Sequence, residues 1–154
     1  MNPEEIAPPP DFFICYTGVD KGWAEWMAWC LEDAGYSVIL QAWDFRPGHN
    51  FPLMMDMAVR AAHTLVVLSP DFLEATFVQT EWANALRQDP TGMGRKLIPV
   101  RIKPCELRDL LAGIIYVDLV GRSRDVARNI LLDGVREGRA KPDSEPPFPG
   151  VGGL

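Results

Sequence analysis

The chain contains 154 residues, a length suited to one domain, and has a formal net charge of -6 at pH 7. No stretch is enriched in Lys and Arg, which argues against sequence-independent binding of nucleic acid, because that binding depends on basic groups at phosphates. No apolar run approaches the roughly 20 residues of a membrane span, and the acidic N-terminus lacks the pattern of a signal peptide. Three scattered cysteines favour reduced thiols and a cytoplasmic location.

Between its two ends the chain alternates short apolar runs with amphipathic segments, as strands and helices do in turn. In chain order, the sequence predicts strand 12–15, helix 23–34, strand 38–40, helix 51–62, strand 64–68, helix 77–87, strand 97–102, a helical turn at 106–111, strand 115–119 and helix 124–137. Asp20 is suited to cap the first helix and Gly35 to end it. Pro99 suits a sheet edge or a strand start better than a sheet centre.

The ends of the chain have the composition of linkers. Residues 1–10 finish in three consecutive prolines, which form a stiff, extended lead-in. Residues 139–154 are rich in Pro and Gly and have no apolar pattern from which to build a core. We therefore expect one domain over residues 11–138, followed by a linker to a further domain.

Strands that alternate with helices imply right-handed crossovers and a mostly parallel sheet with both faces covered. Five such units predict an α/β, flavodoxin-like doubly wound fold, for which we expect by analogy the strand order 2-1-3-4-5. Ligands of such folds bind outside the carboxyl ends of the strands. The segments at that edge are residues 16–22, 41–50, 69–76 and 103–114.

Several familiar sites are absent from the sequence. The segment after the first strand has no Gly-x-Gly-x-x-Gly, which disfavours a Rossmann oxidoreductase, and no phosphate-binding P-loop motif occurs. His49 and His63 are too far from the scattered cysteines for a metal site, so we predict no bound metal and a structural role for His63. Phe77 and Glu81 are four residues apart and share a helix face, but spacing alone favours a core Phe beside a solvated Glu.

The order of the motifs resembles that of a TIR (Toll/interleukin-receptor) domain over residues 11–135. The motifs that carry the resemblance are the opening box at 12–20, the helix-to-strand turn at 31–38, the so-called BB loop at 43–51 with its Pro-Gly, the box at 66–72, and an aromatic residue four before a glutamate at Phe77 and Glu81. Arg101, Gly113, Asp118 and Leu119 also fit the bacterial branch of the family. Cys15 stands where the family has Ser, and Phe77 where Trp is commoner.

The resemblance implies an enzyme that cleaves the nicotinamide–ribose bond of NAD+, giving nicotinamide and ADP-ribose or a cyclic ADP-ribose product. NAD+ would be the substrate, with no cofactor, and Glu81 the catalytic carboxylate. The residues that the resemblance places around the substrate are Tyr16, Thr17, Trp43, Asp44, Phe45, Arg46, Ser69 and Phe77. Nicotinamide leaves as a neutral ring from a cationic substrate, so one carboxylate that stabilises the oxocarbenium-like ribose can suffice. Where the family has a basic residue beside the pyrophosphate, Arg46 or Lys21 would substitute.

The family also implies partners. Protomers would assemble homotypically, each BB loop completing a neighbour's site, and a fused sensor or oligomerisation domain would control an antiphage or immune effector. The alternative is a non-enzymatic scaffold that acts by TIR–TIR contact, which Glu81 argues against because adaptors generally lack it. A nucleoside deoxyribosyltransferase-like enzyme, which would leave NAD+ intact, is a third reading.

Overall fold

The computed structural model describes residues 8–75, 79–108 and 111–152, with the side chains of 79–81 outside the description. Its strands form one parallel sheet, composed of β1 (Phe12–Cys15), β2 (Val38–Leu40), β3 (His63–Leu68), β4 (Leu97–Arg101) and β5 (Val117–Asp118). The strand order is β2-β1-β3-β4-β5, which confirms the order expected from the sequence.

Helices cover both faces of this sheet. They are α1 (Lys21–Asp33), α2 (Gln41–Asp44), α3 (Phe51–Ala58), α4 (Pro70–Glu74), α5 (Gln79–Gln88) and α6 (Arg124–Val135). α1 and α6 pack on one face, whereas α4, α5 and the end of α3 pack on the other, so the doubly wound α/β fold is confirmed. No helix within the described ranges is both long and apolar enough to cross a bilayer.

The central strands β1 and β3 are buried over their whole length, because a parallel sheet with helices on both faces exposes neither side. Their side chains alternate between two core clusters: Phe12 and Ile14 join the cluster under α1 and α6, and Phe13 and Cys15 join the other. Leu65 and Val66 of β3 alternate in the same way. The uninterrupted apolar runs in the sequence therefore reflect two buried faces.

The end of α1 follows the sequence prediction closely. Gly35 has a φ of +97°, which a glycine adopts without the strain of a Cβ atom. The amide of Gly35 donates to the Glu32 carbonyl and that of Tyr36 to the Leu31 carbonyl, both at 3.0 Å. This pair of bonds is the Schellman arrangement that closes a helix.

Several predicted helical boundaries are wrong. α3 ends at Ala58 and not at residue 62, because the amides of Ala62 and His63 donate to carbonyls of Pro10 and Asp11 just before β1. The predicted helical turn at 106–111 is not helical over 106–108, and residues 109 and 110 lie outside the description. The helix predicted from residue 77 is described from Gln79 onward, and α6 ends two residues earlier than predicted.

Pro99 is neither at the start of β4 nor on an edge strand, since β4 lies between β3 and β5, but Pro99 itself has no partner in β5, which pairs only with Val100 and Arg101. The amide of Ile102 donates to the Leu68 carbonyl of β3, and the Arg101 carbonyl accepts from Leu119 beyond β5. Odd-numbered residues of β4 therefore direct their backbone groups toward β5, so the donor that Pro99 lacks belongs on that side. This explains why β5 begins at Val117 and why the predicted strand 115–119 is shorter than expected.

At the amino end of the sheet, cations bind the carbonyls at which helices end. The Lys96 ammonium donates to the carbonyls of Val59, at 3.4 Å, and Ala61 after α3. Burial lowers the pKa of Lys96 from its ordinary value. The Arg95 guanidinium donates to the Arg136 carbonyl at 2.9 Å and to a second carbonyl at the end of α6. These bonds satisfy groups that a helix cannot pair internally.

His63 occupies the same end of the sheet. Its ring stacks on Phe12 with 5.4 Å between centroids, and its Nδ1 lies 2.7 Å from the Arg95 carbonyl. Its Nε2 lies 3.0 Å from a Glu137 carboxylate oxygen. His63 is buried and packed at the start of β3, as a structural role requires.

Candidate functional site

The carboxyl end of the sheet is organised by one buried carboxylate. Asp20, 1% exposed, accepts from the Thr17 hydroxyl at 3.1 Å, the Ser69 hydroxyl at 2.5 Å and the Lys103 ammonium at 3.1 Å. Thr17 and Asp20 follow β1, Ser69 follows β3 and Lys103 follows β4. A single side chain therefore fixes three of the loops at the edge where ligands of this fold class bind. We call these four residues the Asp20 network.

The role that the sequence suggested for Asp20 is wrong. Asp20 does stand immediately before α1, at the end of a 3₁₀ turn over Gly18–Asp20, but its side chain makes no capping bond to the helix. An ammonium group is a stronger hydrogen-bond donor to a carboxylate than a backbone amide is. The Asp20 carboxylate therefore bonds to side chains that are distant in sequence, and not to the amides at the start of α1.

Ser69 connects the Asp20 network to the next helix. Its hydroxyl accepts from the Phe72 amide at 3.1 Å, which caps α4, and donates to Asp20. Ser69 and Thr17 are both buried, with their hydroxyl groups engaged by protein partners. The structure thus brings together two residues predicted to contact substrate, and their contact with substrate stays a prediction.

After β2, two further predicted residues fix the short helix α2. The Trp43 indole nitrogen donates to Glu25 of α1 at 2.8 Å. The Asp44 carboxylate accepts from the Leu40 amide at 2.7 Å, so it folds back on the end of β2. Both side chains are half-buried, and Trp43 packs against the core cluster under α1.

The Pro-Gly segment that follows is a closed turn. The Arg46 amide donates to Nδ1 of His49, and the His49 amide donates back to the Arg46 carbonyl, each at 3.0 Å. Gly48 has a φ of +94°, a conformation that favours glycine. Phe45 packs edge-on against Phe51, with 5.6 Å between ring centroids. The Arg46 side chain is exposed, so this segment presents a charge and an aromatic pair.

The remaining predicted residues are placed less completely. Tyr16 is half-buried and packs against the core cluster under α1 and α6. Phe77 lies outside the described residues. Glu81 is the third residue of α5, and its side chain is not described. The helix itself is anchored by Trp82 and Ala85, which are buried in the second core cluster. The Trp82 indole nitrogen has no hydrogen-bond partner among the described residues.

The sequence analysis did not identify Lys103 as a positively charged residue at the carboxyl end of the sheet. Its side chain is 43% exposed beside an Asp20 side chain with no exposure, so its ammonium group lies on the solvent side of the carboxylate. The sequence instead suggested Arg46 and Lys21, both of which are exposed. No motif marks Lys103, although it is the first residue of a loop predicted to line the site.

A second ion pair ties β4 to β5. Arg101 donates to both carboxylate oxygens of Asp118, at 3.2 and 2.8 Å, and to the Cys105 carbonyl at 3.2 Å. These hydrogen bonds hold the pKa of Asp118 below its ordinary value. The guanidinium also lies 5.2 Å from the centre of the Tyr116 ring. The described side chains form no cluster of three or more possible metal ligands.

A family model described as the TIR domain matches residues 12–132. The TIR domain of the Toll-related receptor TRR-2 from Hydra magnipapillata is similar, with a TM-score of 0.62 and 25% identity over 82% of this chain and 94% of that one. A TIR-STING receptor from C. gigas in complex with 2',3'-cGAMP shares the fold, with a TM-score of 0.69 and 19% identity. That match covers 84% of this chain and 41% of the receptor. Among curated proteins, none matches the sequence.

Proposed function

Because the chain belongs to the TIR domain family, we propose that it is an NAD+ glycohydrolase with Glu81 as its catalytic carboxylate. The family contains NAD+-cleaving enzymes and non-enzymatic signalling modules, so membership alone does not decide between them. The observation that favours the enzyme is a glutamate in the first turn of α5, the helix that follows β3 and α4 at the ligand-binding edge.

The reaction breaks the N-glycosidic bond between nicotinamide and ribose. The pyridinium ring of NAD+ already carries a positive charge, so nicotinamide departs without a general acid. Charge then develops on the ribose, and the Glu81 carboxylate stabilises that charge most in the transition state. Water captures the ribose to give ADP-ribose, or a nitrogen of the adenine captures it to give a cyclic product.

The Asp20 network supports this proposal by fixing the edge. Catalytic groups must be held in place before the reaction, because reorganisation during it costs rate. Ser69 joins Asp20 to the start of α4, which precedes the segment carrying Phe77 and Glu81. The half-exposed Lys103 ammonium complements the negative pyrophosphate of NAD+.

Glu81→Gln tests the proposal directly. A neutral amide keeps the shape but does not stabilise a cationic ribose, so the rate of nicotinamide release falls on the order of 10²–10³-fold or more. The matched control is Glu74→Gln, an exposed glutamate on α4, which keeps wild-type turnover. Nicotinamide release is followed by chromatography and folding by circular dichroism. A well-folded Glu81→Gln protein with wild-type turnover would end the assignment.

The proposal includes activation by homotypic assembly, in which the turn over residues 45–51 of one protomer covers the site of the next. Ordering that turn costs entropy, which contacts from a neighbour would offset. Turnover per molecule should therefore rise with protein concentration, and Gly48→Pro should reduce the rise because proline is incompatible with the φ of +94°. Full activity in a dilute monomer would contradict this step. Assembly without nicotinamide release would instead favour a scaffold.

The biological role that fits such an enzyme is depletion of NAD+ as an immune or antiphage effector. A fused sensor or oligomerisation domain would bring protomers together when a signal arrives. The exposed segment after α6, residues 136–152, is suited to join such a domain. Expression of the wild type, but not of Glu81→Gln, should lower cellular NAD+ when the domain is fused to an inducible oligomer. Unchanged NAD+ on clustering of the wild type would contradict the role.

A further inference from the structure

A separate cavity of about 500 Å³ lies between α1 and α6, on the face of the sheet opposite α4 and α5. Ligand pockets in proteins commonly occupy roughly 300–1,000 Å³. Its walls are two tryptophans of α1, Trp23 and Trp26, and its rim carries Arg122 and Arg124. None of these residues belongs to the Asp20 network or to the residues predicted to bind NAD+.

The two tryptophans give the cavity flat, fixed walls. Their ring centroids lie 6.0 Å apart and their planes meet at 89°, so the edge of one ring packs against the face of the other and each fixes its neighbour. Both side chains are partly buried and pack against the core cluster under α1 and α6. Indole rings held in this way offer a π-face on which a planar ring stacks at little cost in conformational entropy.

The two arginines supply positive charge that the protein leaves largely uncompensated. The charge of Arg122 contributes to lowering the pKa of Asp118, but both carboxylate oxygens of Asp118 are hydrogen-bonded by Arg101 and none by the Arg122 side chain. Within the described ranges no carboxylate pairs with Arg122. Arg124 contacts Asp125 at 3.4 Å, with both side chains more than 80% exposed, and such surface pairs contribute little.

We propose that this cavity binds a small molecule that joins a planar heteroaromatic ring to a phosphate, the chemistry of a mononucleotide. The ring would stack on a free indole face of the Trp23–Trp26 pair, and the phosphate would accept hydrogen bonds from Arg122 and Arg124. Guanidinium groups match phosphate geometry with paired donors, which favours phosphate over a simple halide. Neither a nucleoside nor inorganic phosphate alone would use both halves of the cavity.

Calorimetric titration with AMP, adenosine and inorganic phosphate tests the proposal. AMP should bind, and adenosine and phosphate should each bind at least about tenfold more weakly, a difference of 1.4 kcal/mol. The double variant Arg122→Gln/Arg124→Gln should weaken AMP binding by at least the same factor. The matched control is Arg87→Gln/Arg139→Gln, which removes the same charge from exposed arginines that do not line the cavity.

Glu81→Gln separates this cavity from the proposed catalytic site. AMP should bind that variant as it binds the wild type, with the same change in tryptophan fluorescence. Loss of AMP binding in Glu81→Gln would assign the ligand to the catalytic edge and overturn the proposal. Equal affinity for AMP and adenosine, unchanged AMP binding in the double arginine variant, or no binding by the wild type would overturn it too. Sedimentation with and without AMP reveals whether a second copy of the chain covers the cavity instead, which would also contradict it.

Discussion

The two ends of the parallel sheet hold their charges in opposite ways. At the amino end, Arg95 and Lys96 donate to backbone carbonyls where α6 and α3 finish. At the carboxyl end, the Asp20 carboxylate accepts from side chains next to the starts of α1 and α4. Cations therefore close one end, whereas a buried anion organises the other.

The direction of the helices explains the difference. In a parallel α/β sheet the connecting helices run opposite to the strands, so helix C-termini gather at the amino end and helix N-termini at the carboxyl end. The carbonyls of helix C-termini favour cations, and the amides of helix N-termini favour anions. The protein supplies its own cations at the amino end, whereas at the carboxyl end an anionic ligand can approach. Ligand binding is thus expected at the carboxyl end, whereas the charged groups of the amino end serve the fold alone.

The largest expected effect comes from removing the carboxylate itself. Asp20→Ala leaves the buried hydroxyl of Ser69 without its acceptor and Lys103 without its partner. A buried hydroxyl that loses its partner costs roughly 1–3 kcal/mol, and both Thr17 and Ser69 lose theirs. Urea denaturation measures the loss, and Asp20→Asn, which keeps one acceptor oxygen, should lose less. Wild-type stability in Asp20→Ala would show that the network does not hold this end together.

At the amino end of the sheet, Arg95→Met should lower the free energy of unfolding by less than Asp20→Ala does, and it should leave nicotinamide release unchanged. It removes two hydrogen bonds from a charged donor to carbonyls at the end of α6, worth about 1–3 kcal/mol. Nicotinamide release per folded molecule should stay at the wild-type level, because this end is remote from the ligand-binding edge. The control Glu137→Gln, with a carboxylate side chain that is 80% exposed, should change stability by less than about 0.5 kcal/mol. A loss of turnover in folded Arg95→Met would break the separation of the two ends.

A smaller effect is expected from the partly exposed pair of Arg101 and Asp118, and it depends on pH. Because hydrogen bonds from Arg101 lower the pKa of Asp118 in the folded state, ionised Asp118 stabilises the fold above the ordinary carboxyl pKa of about 4. That stabilisation disappears as pH falls through the lowered pKa. Asp118→Asn should therefore reduce Tm at pH 7, and the gap to the wild type should close in acid. A gap that stays constant from pH 7 to pH 3 would contradict this.

Much of the fold was predictable because β1 and β3 carry continuous apolar runs and helices separate them. The same reasoning failed at β5, where Ile115 is apolar but 94% exposed. Hydrophobicity predicts burial only when a partner strand can reach the segment, and Pro99 supplies no donor there. The extent of β5 is thus limited by Pro99, which lies sixteen positions before Ile115. The periodicity of a local segment carries no information about so distant a residue.

The candidate site was predictable only where a motif is local. Thr17 and Ser69 were named as site residues and lie together, although the carboxylate that joins them was read as a helix cap. Asp20 and Lys103 are 83 residues apart, and nothing in either neighbourhood announces the pairing. The roles of Glu81 and Phe77 remain predictions.

Pro99 also affects how the protein behaves in a crowded solution. β5 pairs only with Val100 and Arg101, so the backbone of β4 before them has no strand partner on that side. An open strand edge is a template on which a foreign strand can add and a fibril can grow. The nitrogen of Pro99 carries no hydrogen to donate to an incoming strand. A strand that paired across that position would therefore form one backbone hydrogen bond fewer. Pro99→Val should restore that hydrogen bond and make the domain more prone to form thioflavin-binding aggregates.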